Sequence, residues 1–335
     1  MNVKKLENKE GLGQGTTVFS QRTPAWHAGN QIDAEIIQPE AAMKLSGLDW
    51  EVEKRELFLG GEKEVDGIPV RGKPIPHHRG IVRSSDEKIL GVVGEGYEPI
   101  QNQEAFDFGV QIIENSKYHF SVAGEYYGGR NIYTVLDFDD GMDVKGDQIS
   151  KHLLILSSHD GTSGFKTMFI PQRISCCNML TGATSRATNK ISIRHTKNYS
   201  DRMVQAKQML IQSSEYYKTI ETQFYEMTEV SFSNQEFKNL VKTIFPFHKN
   251  EKGNVIESSQ IQKKRDQALK LWEHSSTMKN LEGTAWRAYN AIVEWVDYFK
   301  PGRATAHTSK NDLEMRNRVL GGMKEKNHAL SILTD

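Results

Sequence analysis

Apolar residues recur along this chain in two rhythms, and the change falls near residue 200. Before it they come in short runs cut by Gly, Pro and polar clusters, the spacing of strands joined by turns. "QPEAAMKLSGLDW" (38–50) predicts a helix, with Pro39 suited to a first helical turn and Gly47 marking the stop. In "WEVEKRELFL" (50–59) Trp50, Val52 and Leu57 predict a strand with imperfect alternation, and "GGEKEVDGIP" is turn chemistry. "GIVRSSDEKILGVVGEGYEPI" (80–100) predicts two short strands joined through Ser84, Ser85, Asp86 and Glu87. Helical spacing returns in "NQEAFDFGVQIIENS", with Phe106, Val110 and Ile113 on one stripe and Asn102 as the cap. Further strands are expected in "YHFSVAGEYYGG", "RNIYTVLDFDD", "KHLLILSS" and "FKTMFIPQRISC", where Pro171 argues for an edge strand or a bulge.

After residue 200 the spacing is helical. "SDRMVQAKQMLIQSSEYYKTIETQFYEM" has no internal Pro or Gly. Ser233 with Glu236, and Ser259 with Gln262, read as capping boxes, and Pro246 ends the first of these helices. In "GTAWRAYNAIVEWVDYFKP", Ala285, Ala288, Tyr289, Ile292, Trp295, Val296 and Phe299 fall at helical spacing before Pro301. Trp286 and Trp295 are half a turn out of phase at about 100° per residue, so one is expected in the core and the other against a partner or a domain seam. A last helix runs through "LEMRNRVLGGMKEKNHALSIL". The expected fold is α+β: a polar, flexible N-terminal arm over 1–30, a helix–three-stranded meander–helix core with further antiparallel strands over 31–199, and a helical region over 200–335.

Composition narrows the picture only locally. The 335 residues carry 43 basic and 43 acidic side chains, so no global field points to nucleic acid. The longest apolar runs are too short to span a bilayer, and the first 20 residues hold no apolar signal core, so no membrane partner is expected. Two cysteines only, Cys176 and Cys177, stand side by side, where a mutual disulfide is strained; reduced thiols packed as small hydrophobes in a cytoplasmic setting are expected. A metal held by those thiols with His152, His159 and His195 has no spacing to support it.

The charge is uneven between 151 and 212. Nine basic residues there (Lys151, Lys166, Arg173, Arg186, Lys190, Arg194, Lys197, Arg202, Lys207) face two acids, Asp160 and Asp201. "RATNKISIRHTK" alternates cations with Ser, Thr and Asn, side chains that bond phosphate oxygens, and Phe165, Phe169 and Tyr199 are candidate stacking surfaces. A bulge at Pro171 would bring Lys166 and Arg173 to one face, so Lys166, Arg173 and Arg194 are expected to line a groove with Phe169 beside it. The bland alternative is a solvated surface whose cations pair with acids elsewhere, such as "DFDDGMD" (137–143), itself a solvated acidic turn or a hard-cation site. His159-Asp160-Gly161 lies among Ser157, Ser158, Thr162 and Ser163 and reads as a turn between strands; triad members converge from separated elements. No Walker A, H-E-x-x-H, G-x-S-x-G or EF-hand pattern occurs, and the glycines of "GVVGEGYEPI" suit strand bends better than a phosphate.

"TPAWHAGN", "SGLDWEVEKRELF", "ILGVVGEGYEPIQNQEAFDF", "LLILSSHDGTSGFKTMFIPQRISCCNML", "SIRHTKN" and "TAWRAYNAIVEWVDY" together resemble the phage/plasmid-like proteins of unknown function carried on bacterial mobile elements. The likeness covers about 24–330; Cys177-Asn178 matches the family's Cys-Asn element and Cys176 is extra. It implies a phage or plasmid gene expressed in bacterial cytoplasm and supplies no reaction. The helix, three-stranded meander and helix are also similar to the core of single-strand annealing proteins of the Redβ and Erf type. That likeness implies a basic groove for single-stranded DNA and a homo-oligomeric ring or filament.

The expected function is therefore a nucleic-acid-binding protein for single-strand annealing or recombination, with no catalytic residues, cofactor or metal. Its expected contacts are Lys151, Lys166, Phe169, Arg173, Arg186, Lys190, Arg194 and Lys197. Two alternatives stay open: a metal-dependent hydrolase or nuclease around His159, Asp160 and the aspartates at 137–143, and a regulator that binds a host protein through the Trp286/Trp295 helix.

Overall fold

A computed structural model describes residues 16–19, 30–32, 35–36, 38–60, 63–65, 68–70, 72–112, 117–173, 190–211, 214–301 and 323–334. The protein is α+β. Strands β1 (Thr16–Phe19) and β2 (Asn30–Ile32) pair in parallel. Helix α1 (Pro39–Ser46) carries Pro39 in its first turn and stops at Gly47, whose φ of 69° is the left-handed cap a glycine adopts without steric cost. Next come β3 (Val52–Leu59), the short hairpin β4 (Lys63–Val65) and β5 (Ile68–Val70), then β6 (Lys73–Arg83) and β7 (Lys88–Gly94). β3, β6 and β7 form an antiparallel sheet in that order, with β6 and β7 joined by the expected turn at 84–87. Helix α2 (Asn102–Ile112) completes the helix–meander–helix order.

The larger sheet follows. β8 (Tyr118–Tyr126), β9 (Asn131–Val144), β10 (Asp147–Ser158), β11 (Phe165–Arg173) and β12 (Lys190–Ile193) join the first two strands in the order β12-β11-β10-β9-β8-β1-β2. β12 pairs only with Phe165–Met168 of β11, so Pro171 lies past the paired stretch on that side, where a missing N–H breaks no ladder bond to it. "DFDDGMD" is not a turn: it continues β9, and the chain reverses at Lys145 and Gly146, both with positive φ. Asp143 accepts from the Gly146 N–H there and Asp140 pairs with Lys151, so these acids have protein partners.

Helices then dominate: α3 (Tyr199–Ile211), α4 (Ser214–Glu229), α5 (Asn234–Ile244), a small hairpin of β13 (His248–Lys249) and β14 (Val255–Ile256), α6 (Ser259–His274), α7 (Ala285–Glu294) and α8 (Met323–Thr334). The Ser233–Glu236 capping box forms on α5. On α6 the cap is Ser258, one residue earlier than the pattern suggests, because its side chain accepts from the Ile261 N–H. The change at residue 200 is one of secondary structure; the compact units cut the chain differently. One comprises Met1–Asp137, Leu153–Phe169 and Asn189–Gln212, the other Phe138–His152, Ile170–Thr188 and Ser213–Asp335, so β9, β10 and β11 each contribute to both.

In the second unit α7 is buried on every side from Ala285 to Val293, the signature of a central helix rather than a surface one. Trp286 and Trp295 are both buried, where the phase between them predicts one in the core and the other against a partner or a domain seam. Glu294 and Trp295 keep right-handed helical dihedrals ahead of the π-helical turn Trp295–Phe299, so the two indoles lie on opposite faces, and both are covered because this helix is enclosed all round. Trp286 packs on Phe224 at 4.6 Å between ring centroids and donates its indole N–H to Asp147 at 2.8 Å.

In the first unit the His159-Asp160-Gly161 turn lies against β7. Asp160 Oδ1 accepts from Ser158 Oγ (2.6 Å), Thr162 Oγ1 (2.6 Å) and the Thr162 N–H (2.9 Å), the Asx geometry of a turn aspartate. A methyl added at Gly91 would stand 2.5 Å from Asp160 Cα, a backbone atom that cannot swing aside. Gly91 thus serves close approach of the turn to the strand. Gly91→Ala is expected to destabilise the protein by about 1–3 kcal/mol through this overpacking, measured as a shift in the urea midpoint; an unchanged midpoint would refute the contact.

Candidate nucleic-acid interface

β12 is the end strand of the seven-stranded sheet, and its burial alternates. Lys190, Ser192 and Arg194 are exposed, whereas Ile193 and His195 are buried and Ile191 is half-buried. The period of two assigns cations and serine to one face and apolar residues to the other. Lys166 sits opposite Ser192 on β11 and so shares the polar face, half-buried. The chain then turns into α3 through a Thr196 N–H bond to Arg194 O (2.9 Å) and a Tyr199 N–H bond to Thr196 O (2.8 Å), with Lys197 exposed in the turn and Arg202 exposed in the first helical turns. Tyr199 fastens the start of α3 by donating its hydroxyl to Glu104 Oε1 at 2.7 Å. Among the described residues Lys190, Arg194, Lys197 and Arg202 make no ion pair. On the meander, by contrast, Lys54 pairs with Glu98, Arg55 with Glu53 and Glu87, Arg79 with Glu95, and Arg83 with Asp86 and Glu125.

The other expected contacts are placed differently. Arg173 is wholly buried: its Nε donates to Asp147 Oδ2 at 2.5 Å and its guanidinium also bonds Thr277 O. An uncompensated guanidinium in the interior is too costly to keep, so this arginine answers a buried carboxylate and cannot line a groove for phosphates. Phe169 is buried as well and offers no face to a base. Lys151 is half-buried, bound to Asp140 at 2.5 Å and 5.5 Å from the Tyr217 ring centroid. Arg186, Cys176 and Cys177 lie outside the described residues. The expected groove of Lys166, Arg173, Arg194 and Phe169 therefore gives way to an edge made of Lys190, Arg194, Lys197 and Arg202. The excess of cations without neighbouring acids could be read from the sequence; which cations were already paired could not, because Asp147 is 26 residues from Arg173.

His159 is the other candidate for chemistry, and its surroundings are fixed. Asn102 donates from Nδ2 to Leu48 O (2.9 Å) and Trp50 O (3.2 Å), which leaves Oδ1 to accept from His159 Nε2 at 2.9 Å. Asn102 is thus a tie between segments rather than the helix cap its position suggests. The proton of His159 therefore sits on Nε2, and Nδ1 is buried with no protein partner. Ser158 donates to Asp160, not to His159, so His159 forms no hydroxyl–imidazole pair for nucleophilic attack. Nor do three His, Cys, Asp or Glu side chains among the described residues come together in a way that could hold a metal ion. Burial pushes the His159 imidazole down to about 3, with His195 opposing its charge further, and burial likewise pushes His195 down to about 4. Both rings are neutral in the folded protein at ordinary pH.

A histidine whose folded pKa is depressed stabilises the fold above its unfolded pKa and loses that contribution as pH falls. Stability is accordingly expected to drop from about pH 6.5 toward pH 4 by about 1.4 kcal/mol per pH unit for each of His159 and His195. Urea midpoints across that window check this: His159→Gln, which does not titrate, gives the shallower fall, and an equally steep fall in the variant would contradict the assignment.

No helix among the described residues is long and apolar enough to cross a membrane. No curated protein and no solved structure matches the chain. Residues 89–319, which take in β7, the His159 turn, the basic edge and α7, match the family described as a domain of unknown function, DUF932. That match spans more than half of the sequence, and the chain belongs to this family.

Proposed function

We propose that the protein holds a single-stranded nucleic acid along β12 and the start of α3, and that it acts in strand annealing or recombination for a phage or plasmid in bacterial cytoplasm. The observation that carries this reading is the run of exposed cations without ion pairs at the end of a sheet. Lys190 and Arg194 project from alternate positions about 13 Å apart, at ~3.3 Å per residue, and Lys197 and Arg202 extend the line into the helix. Each can meet a phosphate, and the Ser192 hydroxyl between them can bond a phosphate oxygen. Holding a strand by its phosphates leaves its bases free to pair, and neutralising that charge lowers the repulsion between two complementary strands. The helix–meander–helix order supports the same reading by analogy of topology. A homo-oligomer, ring or filament, belongs to the proposal because annealing needs a strand held over many nucleotides.

Anisotropy of a labelled oligothymidylate tests it. Binding is expected to weaken with salt, with a log–log slope of about −0.7 per phosphate neutralised. The triple variant Lys190→Glu, Arg194→Glu, Lys197→Glu should lose at least about tenfold in affinity and about two units of slope, with its circular dichroism unchanged. Binding by the triple variant at wild-type strength and slope, or no binding by the wild type at low salt, would overturn the proposal. Arg173→Glu is unsuited to the test, since it sets two carboxylates face to face in the interior.

A further inference from the structure

His195 stands between Arg194 and Lys197 and points the other way. It is 5% exposed while both neighbours are exposed. Its ring lies on Tyr97, 4.8 Å between centroids and 16° from parallel. Tyr97 is itself fixed, donating its hydroxyl to Ser158 O at 2.8 Å in the strand end that enters the His159 turn. The backbone is held from the same side: the Glu98 N–H donates to His195 O at 3.1 Å. Residues 97 and 98 thus grip residue 195 twice, once by ring stacking and once by a main-chain bond. Arg194 and Lys197 are long, solvated side chains that nothing else among the described residues anchors. What fixes where they start is the backbone between them, closed by the Thr196-to-Arg194 and Tyr199-to-Thr196 bonds.

We propose that His195 is a positioning residue of the basic edge: its ring, wedged on Tyr97, holds the 194–197 backbone so that Arg194 and Lys197 project together toward a bound strand. The inference rests on the nucleic-acid reading above and adds to it the device that sets the geometry of that edge. Stacking needs a flat ring rather than a charge, so phenylalanine should replace the histidine and alanine should not. Cations on a loose backbone lose register with the strand, and the cost of ordering them exceeds what each phosphate contact returns, so those contacts are lost.

The test compares His195→Ala and His195→Phe with wild type in oligothymidylate binding across salt, together with amide hydrogen exchange over residues 194–198. His195→Ala should weaken binding about tenfold, flatten the slope by about 1.4, the worth of two phosphates, and speed exchange; His195→Phe should restore all three. If His195→Ala does not fold, Tyr97→Leu removes the stack from the other side and should give the same three changes. Wild-type affinity, slope and exchange in the alanine variant would overturn the inference and leave the nucleic-acid reading standing. If the wild type binds no oligonucleotide, that reading has failed, and the inference as stated falls with it, whatever the exchange shows.

Discussion

The first turn of α2 ties together segments that lie far apart in the chain, and the candidate interface depends on it. Gln101 places its side-chain amide against both the N–H and the C=O of Val52, 3.0 Å each, and so closes the outer edge of β3 at that residue. Asn102 reaches back to Leu48 and Trp50 and across to His159. Glu104 accepts from the Gln101 N–H at one oxygen and from the Tyr199 hydroxyl at the other. Three polar residues within four positions therefore fix the α1–β3 link, the β10–β11 turn and the start of α3. Because Asn102 and His159 are buried, each bond missing from this set would leave a polar group unsatisfied, which costs about 1–3 kcal/mol. That asymmetry makes the junction rigid, and the basic edge inherits its position from it.

Elements with strong local signals were legible in the sequence. Pro39 and Gly47 bound α1, the turn at Ser84–Glu87 joins β6 to β7, and the Ser233–Glu236 box starts α5, because each signal resides in a few neighbouring residues. What stayed hidden was long-range pairing. "DFDDGMD" has the composition of a turn, yet its residues extend β9 because strand pairing overrides local preference. Arg173 looked like a surface cation for the same reason: the sequence displays charge and not the partner that cancels it. Strand β12 is not among the expected elements, although "KISIRH" alternates with Lys190, Ser192 and Arg194 on one face, and burial follows that pattern as far as His195.

The two classes of cation differ in what solvent does for them. A buried arginine such as Arg173 is bound to its carboxylate because no water remains to hydrate it, so its charge is committed inside the fold. An exposed lysine or arginine on the edge is fully hydrated when free and gains from a phosphate mainly by releasing counterions. Only the second class can contribute to reversible binding. Sorting the eight described basic residues of 151–212 by burial therefore changes the reading from a groove within the sheet to a line along its end.

A chain with equal numbers of acidic and basic residues gives a polyanion little long-range attraction. Screening confines each charge further, to about 8 Å at physiological salt. Lys190 and Arg194, about 13 Å apart on a strand, thus act as separate short-range contacts rather than as one field. Such contacts work only where the phosphate spacing of the strand and the cation spacing of the edge agree. Accuracy of position then matters more than the amount of charge. It is supplied by groups behind the edge: the Tyr97–His195 stack, the Glu98 N–H and the Tyr199–Glu104 bond. An extra lysine added elsewhere on this surface would raise the local charge without meeting that condition, so the part of the molecule that decides binding strength is the buried support as much as the exposed cations.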